Sequence, residues 1–309
     1  MLDVLAITIP FFAMIFLGVG GKAIGFISDD GAVTLSKFAF FVALPPFMFL
    51  SVASNDPAAF FNFGFLWRYE LATIMIFGIC GLLASGLFML SRREAGIFGL
   101  NTAYPNYGYI GVPMTILAFG EEAALPMGLM LFADTVVLLG MTAIFVAGDG
   151  RNPFKIISNI LLTMAKNPLL QAVVAGLAFA ASGLEMPTVL DRLLHLLAGA
   201  AAPAALFALG ATMYGQPIRG AVGEVGSITL VKLIIHPALV AGLFLLIPGM
   251  DILWVKVAII ASCLPVAANV YMLSQVYNAY VGRTASSVFA STMMATFTVP
   301  VILYLVYLL

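Results

Sequence analysis

Two apolar runs of the chain carry the same three residue types in the same order. Tyr104-Pro105-Asn106-Tyr107 lies in one, and Leu264-Pro265 followed by Asn269 and Tyr271 lies in the other. A proline inside a helix removes one backbone donor and crowds the preceding turn, so each run is predicted to break there. At such a break, freed N–H groups and an asparagine amide hold an anion without a fixed positive charge. The chemistry is reversible binding rather than bond making. Asn106, Asn269, Tyr107 and Tyr271 form the candidate substrate set, with Pro105 and Pro265 shaping the backbone between them. Asp134, flanked by Phe132 and Val136, is the carboxylate set deepest in an apolar run. A charge at that depth costs several kcal/mol unless it is protonated or paired. Asp134 is therefore a candidate for coupling substrate movement to a proton or sodium ion; the competing reading is a hydrogen bond to a neighbouring helix.

The elements that must position these residues follow from composition. Of the 309 residues, 63% are hydrophobic and only 9% charged, against about 25% charged in soluble domains. Crossing a hydrocarbon core of about 30 Å takes roughly 20 apolar residues. Ten such stretches are expected, near 4–21, 32–54, 69–91, 96–118, 123–147, 160–182, 189–213, 225–247, 252–276 and 285–308. The first reads as a retained helix rather than a signal peptide, since Asp3 precedes it and Lys22 follows it. Numbering the linkers in order, the odd ones carry Lys22, Lys37, Arg92, Arg93, Arg151, Lys155, Lys166, Arg219, Lys232 and Arg283. The even ones carry only Arg68, Arg192 and Lys256. Basic residues stay on the cytoplasmic side, so both termini are expected on the other face of the cell (inner) membrane.

Pro105 and Pro265 stand 160 residues apart, and the same shift lays the first span on the sixth. It also brings Pro45 within two residues of Pro203. Residues 1–150 and 151–309 thus read as two repeats of five spans in one integral membrane unit. Five is odd, so the second repeat is inverted relative to the first, an arrangement in which broken helices meet near the bilayer midplane. A single proline more often only kinks a membrane helix. Two at matching places, each followed by Asn and Tyr, favour a binding site.

At these residues the chain resembles the auxin efflux carrier family, which includes the plant PIN-FORMED carriers and bacterial malonate-type carriers of the bile-acid/auxin/arsenite transporter superfamily. The likeness covers almost the whole length. It runs through Ala43-Leu44-Pro45-Pro46, Ser54-Asn55-Asp56-Pro57, Tyr104-Pro105-Asn106, Gly111-Val112-Pro113 and Asn167-Pro168. It continues through Leu209-Gly210 to Gln216-Pro217, Lys232-Leu233 to Pro237-Ala238, Leu264-Pro265 and Tyr277-Asn278. The resemblance implies an all-α fold of ten transmembrane helices related to bile-acid symporters and sodium/proton antiporters, with helices 4 and 9 broken and crossing beside an anion site. It implies elevator-type transport of a small organic carboxylate and leaves open proton or sodium coupling and assembly as a homodimer. The plant carriers place an acid and a lysine one turn apart in span three. Here Arg68-Tyr69-Glu70-Leu71-Ala72-Thr73 offers Glu70 and no lysine. The long loop of the plant proteins is reduced to about residues 148–159.

Other functions find no support in the residues. The chain has no H-E-x-x-H, nucleophile elbow or P-loop lysine motif, which argues against an enzyme and against built-in ATP hydrolysis. A net charge of −1 supplies no field for nucleic acid. His195 and His236 are too scattered for a metal site, and Cys80 and Cys263 sit in apolar runs as small hydrophobes. No cofactor or metal is expected. The alternatives to a carrier are a channel and a membrane sensor that binds a carboxylate without moving it.

Overall fold

The structure is a computed structural model describing residues 2–146, 158, 161–162, 165–215 and 222–309. The described residues are helical throughout, with one isolated β-bridge in place of any strand. In chain order the helices are α1 (Leu2–Ala23), α2 (Asp29–Phe38), α3 (Leu44–Ala53), α4 (Phe63–Leu87), α5 (Arg92–Ala103), α6 (Val112–Phe119) and α7 (Ala124–Val146). There follow α8 (Pro168–Ser182), α9 (Thr188–Met213), α10 (Val222–Leu230), α11 (His236–Leu246), α12 (Ile252–Ser262), α13 (Ala268–Val276) and α14 (Val281–Tyr307). Among the described residues seven helical segments are long and apolar enough to cross a membrane, including Asp29–Ala53 and Val222–Leu246, each built from two helices joined end to end. The other three predicted stretches, 96–118, 160–182 and 252–276, are only partly covered by the shorter apolar helices Tyr107–Phe119, Pro168–Ser182 and Ile252–Ser262. Arg151, Lys155, Arg219, Gln216-Pro217 and the short loop before span six lie outside the described residues.

The helix boundaries have local causes. Ser28 caps α2 by accepting from the Gly31 amide at 3.0 Å, and Ser91 and Glu94 close a reciprocal capping box on α5. Asp251 accepts from the amides of Leu253 and Trp254 at the start of α12. Three π-helical turns, Ala39–Ala43, Tyr107–Gly111 and Val231–Ile235, each end two residues before a proline: Pro45, Pro113 and Pro237. Proline cannot donate to the carbonyl four residues back and its ring crowds that carbonyl. Widening the turn just before it gives the ring room while the helix continues.

The chain packs as two compact units, each made of discontinuous segments. One holds Met1–Asn62, Tyr107–Leu129 and Ala165–Gly215; the other holds Phe63–Asn106, the described residues of Met130–Met164, and those of Gln216–Leu309. Both draw on the two halves of the sequence. In the first unit α1 and α9 cross with their backbones in contact at Gly18 and Gly210. A Cβ on Gly18 would strike the Phe207 carbonyl, and one on Gly210 would strike the Ile15 carbonyl. Small residues of this kind let membrane helices approach closely. The second unit has a core around Phe77, Phe98, Leu138, Val266 and Tyr280. Large apolar side chains such as Ile9, Phe16, Leu82 and Phe297 remain exposed, as suits a surface solvated by lipid tails.

Candidate functional site

Both predicted breaks occur, and in the second unit they meet. Helix α5 stops at Ala103 because Tyr104 is extended (φ −80°, ψ 111°), the conformation that a following proline imposes on its neighbour. Helix α12 stops at Ser262, and α13 begins only at Ala268. The two extended stretches pair antiparallel at Pro105 and Val266. The backbone N–H of Asn106 donates to the Pro265 carbonyl at 3.0 Å, and that of Ala267 to the Tyr104 carbonyl at 3.3 Å. The Ser291 hydroxyl on α14 accepts from the Val266 amide at 3.1 Å. Backbone groups that the prolines set free thus satisfy one another, which buried peptide groups must do. No side chain caps α13 at Ala267, so the amides of its first turn face the crossover without one.

Of the predicted substrate residues, Pro105, Asn106 and Pro265 meet here, and Asn269 follows in the first turn of α13. Asn106 is buried, and Asn269 lies half-buried in the first turn of α13. Tyr271 is half-buried, and its phenol oxygen accepts from the Gln275 amide one turn later at 3.1 Å. Tyr107 is buried at the head of the π turn Tyr107–Gly111 and belongs to the other unit.

Asp134 on α7 is fully buried. It stands beside a group that the residue pattern did not assemble. Glu70, on α4, is 7% exposed; its carboxyl lies against that of Asp134, and neither Glu70 oxygen meets a donor in ordinary hydrogen-bond geometry. Sequence spacing put Glu70 at the start of span three, but α4 begins at Phe63, two turns earlier, and carries it inward. Lys232 is also fully buried, not at a helix end as the basic-residue tally took it. Its ammonium donates to the Ser262 carbonyl at 2.8 Å and meets His236 Nδ1 at 3.1 Å, while Asp134 attracts it electrostatically. The His236 ring continues to the Thr73 hydroxyl at 3.3 Å. The signal for this pair was the Lys232, His236 spacing of four residues in an otherwise apolar helix, which places both on one face.

The crossover and the charged cluster touch on both sides. Tyr104, whose carbonyl joins the bridge, sends its phenol to the Thr135 hydroxyl at 3.3 Å, next to Asp134. Ser262, which receives Lys232, closes α12 three residues before Pro265. Near the helix starts of the same unit, Arg283 lies 3.4 Å from Glu224 and 3.7 Å from Glu94, and the Tyr280 hydroxyl donates to Glu224 at 2.5 Å. Among the described residues no group of three His, Cys, Asp or Glu side chains is placed to hold a metal.

Long apolar helices, an interrupted pair bonded at a buried crossover and an ionisable cluster beside it describe an integral membrane transport protein. Comparison with known proteins gives the same class: residues 4–303 match the family described as "Membrane transport protein". The chain belongs to this family, that of the auxin efflux carriers, and is a transporter rather than an enzyme. It is 30% identical to the "Putative malonate transporter" of Rhizobium meliloti, over 99% of this chain and 97% of that protein. An "Uncharacterized transporter" of Methanothermobacter thermautotrophicus is 26% identical over 93% of each chain. An Escherichia coli transporter, also uncharacterized, is 22% identical over 96% of this chain and 95% of its own length.

Proposed function

We propose that the protein is a secondary carrier of small organic carboxylates, malonate-like in size and charge, that binds its cargo at the α5/α12–α13 crossover. The observation that carries this reading is the bonded bridge between Tyr104-Pro105-Asn106 and Pro265-Val266-Ala267, which sets Asn106 and the uncapped start of α13 in one place. Amide donors and a helix N-terminus favour an anion without locking it in by a fixed positive charge. In this reading Asn106 and Asn269 hold the carboxylate, with Tyr107 and Tyr271, each close in sequence to one of them, as further candidates. Asp134 is the coupling group, protonated in one part of the cycle so that it admits the anion without like-charge repulsion.

The same reading takes the ten stretches as two inverted five-helix repeats, residues 1–150 and 151–309, that interleave to build the two compact units. One unit carries the crossover and moves cargo in an elevator-type cycle. The protein lies in the cell membrane with both termini on the non-cytoplasmic side, following the basic-residue bias. The name of the Rhizobium relative supports the dicarboxylate class. Counterflow in liposomes tests the proposal: protein preloaded with unlabelled malonate should accumulate labelled malonate transiently against its gradient. A channel gives flux without counterflow and a sensor gives no flux. Failure across a panel of mono- and dicarboxylates, with correctly inserted protein, would overturn it.

A further inference from the structure

Lys232 sits where a coupling cation would otherwise be expected. In carriers with interrupted helices, Na⁺ is held by the C-terminal carbonyls of half-helices and by unwound backbone. Ser262 ends the half-helix α12, and its carbonyl takes the Lys232 ammonium at 2.8 Å. The helix C-terminus also carries partial negative charge, which favours a cation there. Two carboxyls, Glu70 on α4 and Asp134 on α7, stand on the acidic side of the same cluster. The remaining polar neighbours are His236 and Thr73, the Tyr104 phenol and the Cys263 thiol.

We infer that the Lys232 ammonium is a tethered counter-ion that takes the place of a sodium ion between the Ser262 carbonyl and the Asp134 carboxyl, making this carrier independent of sodium. Three features carry the inference. The lysine is fully buried, so its charge has no outlet to water. It reaches the one carbonyl that closes the half-helix beside the crossover. Its ammonium also meets His236 Nδ1 at 3.1 Å and is drawn toward the buried Asp134 carboxyl, for which it is the compensating cation. An ammonium on a four-carbon stem cannot dissociate, so the site is occupied at every ion composition. The cycle then carries no sodium requirement, which leaves the proton as the coupling ion in the function proposed above, on which this inference rests for its meaning in transport.

The test is thermal unfolding of the purified chain in sodium chloride and in choline chloride at equal ionic strength, for the wild type and for Lys232→Ala. The wild type should unfold at the same temperature in both salts. Lys232→Ala should unfold earlier in choline and regain about 2 °C in sodium, the shift that one ion at roughly ten times its dissociation constant produces in a chain of this length. A wild type that sodium stabilises, or a folded variant that sodium does not, overturns the inference. If Lys232→Ala does not fold, the double variant Lys232→Met/Asp134→Asn, which removes one charge of each sign, should restore a folded protein; failure to do so also overturns it. This readout needs no substrate, so its outcome is separate from that of the counterflow experiment.

Discussion

The backbone N–H of Asn106 donates to the Pro265 carbonyl at 3.0 Å, so the gap in one interrupted helix is closed by the gap in the other. Neither break is a defect of its own helix. Each is completed by a residue more than 150 positions away in sequence, which ties the geometry of any anion held there to both segments at once.

Asn106→Ala and Asn269→Ala should each weaken malonate binding by about 1 to 3 kcal/mol, roughly 5- to 150-fold, the range for leaving a buried polar group unpaired. Isothermal titration on folded, correctly inserted variants measures it. Wild-type affinity in both would make the crossover structural only.

Asp134→Asn mimics the protonated carboxyl and keeps its shape. Substrate binding should persist, while the pH dependence of counterflow between pH 5 and 8 flattens. A pH profile parallel to the wild type would assign Asp134 to packing against Glu70 and Lys232 instead.

The topology prediction rests on exposed charges. Cysteines placed at Arg93 and at Glu121, both exposed in the structure, should differ in intact cells. The first should resist an impermeant maleimide and the second should react. Reversed labelling would invert the proposed orientation.

Gly210→Leu puts a side chain into the Ile15 carbonyl, where the α1 and α9 backbones meet. No rotamer relieves a collision at Cβ, so the two helices must separate. The variant should lose several degrees of thermal stability or fail to insert, while Gly199→Leu on the same helix, where a Cβ meets nothing within 4 Å, should behave as wild type.

Much of this arrangement was legible in the residues because bilayer thickness forces apolar runs of fixed length and proline forces breaks. The second break at Pro265, followed by Asn269, and the first at Pro105 lie where the sequence puts them. The cluster beside them was not legible. Lys232 reads as an interfacial cation because sequence carries no depth coordinate; its partners, the Ser262 carbonyl 30 residues on and the Asp134 carboxyl, come from other helices. Glu70 reads as part of a polar helix start because Arg68 stands two residues before it. Arg68 in fact turns back to the Gly64 carbonyl at 2.6 Å, and its guanidinium lies over the Trp67 ring, inside a helix already under way. His236 reads as too far from His195 to share a metal, whereas its partner is a lysine one turn earlier.

The discontinuity of the two units has a consequence for the order in which the chain is completed. The first unit has all of its segments once residue 215 has been made, whereas the second waits for the last helix. Chains emerge N-terminus first, so Glu70 and Asp134 are synthesised well before Lys232, which compensates Asp134. During that interval the two carboxyls have no ammonium, and the segment ending at Asn106 has no Pro265 carbonyl to bond. The partners that complete the site on α4, α5 and the later part of α7 thus all lie within residues 222–309, the part of the chain made after it.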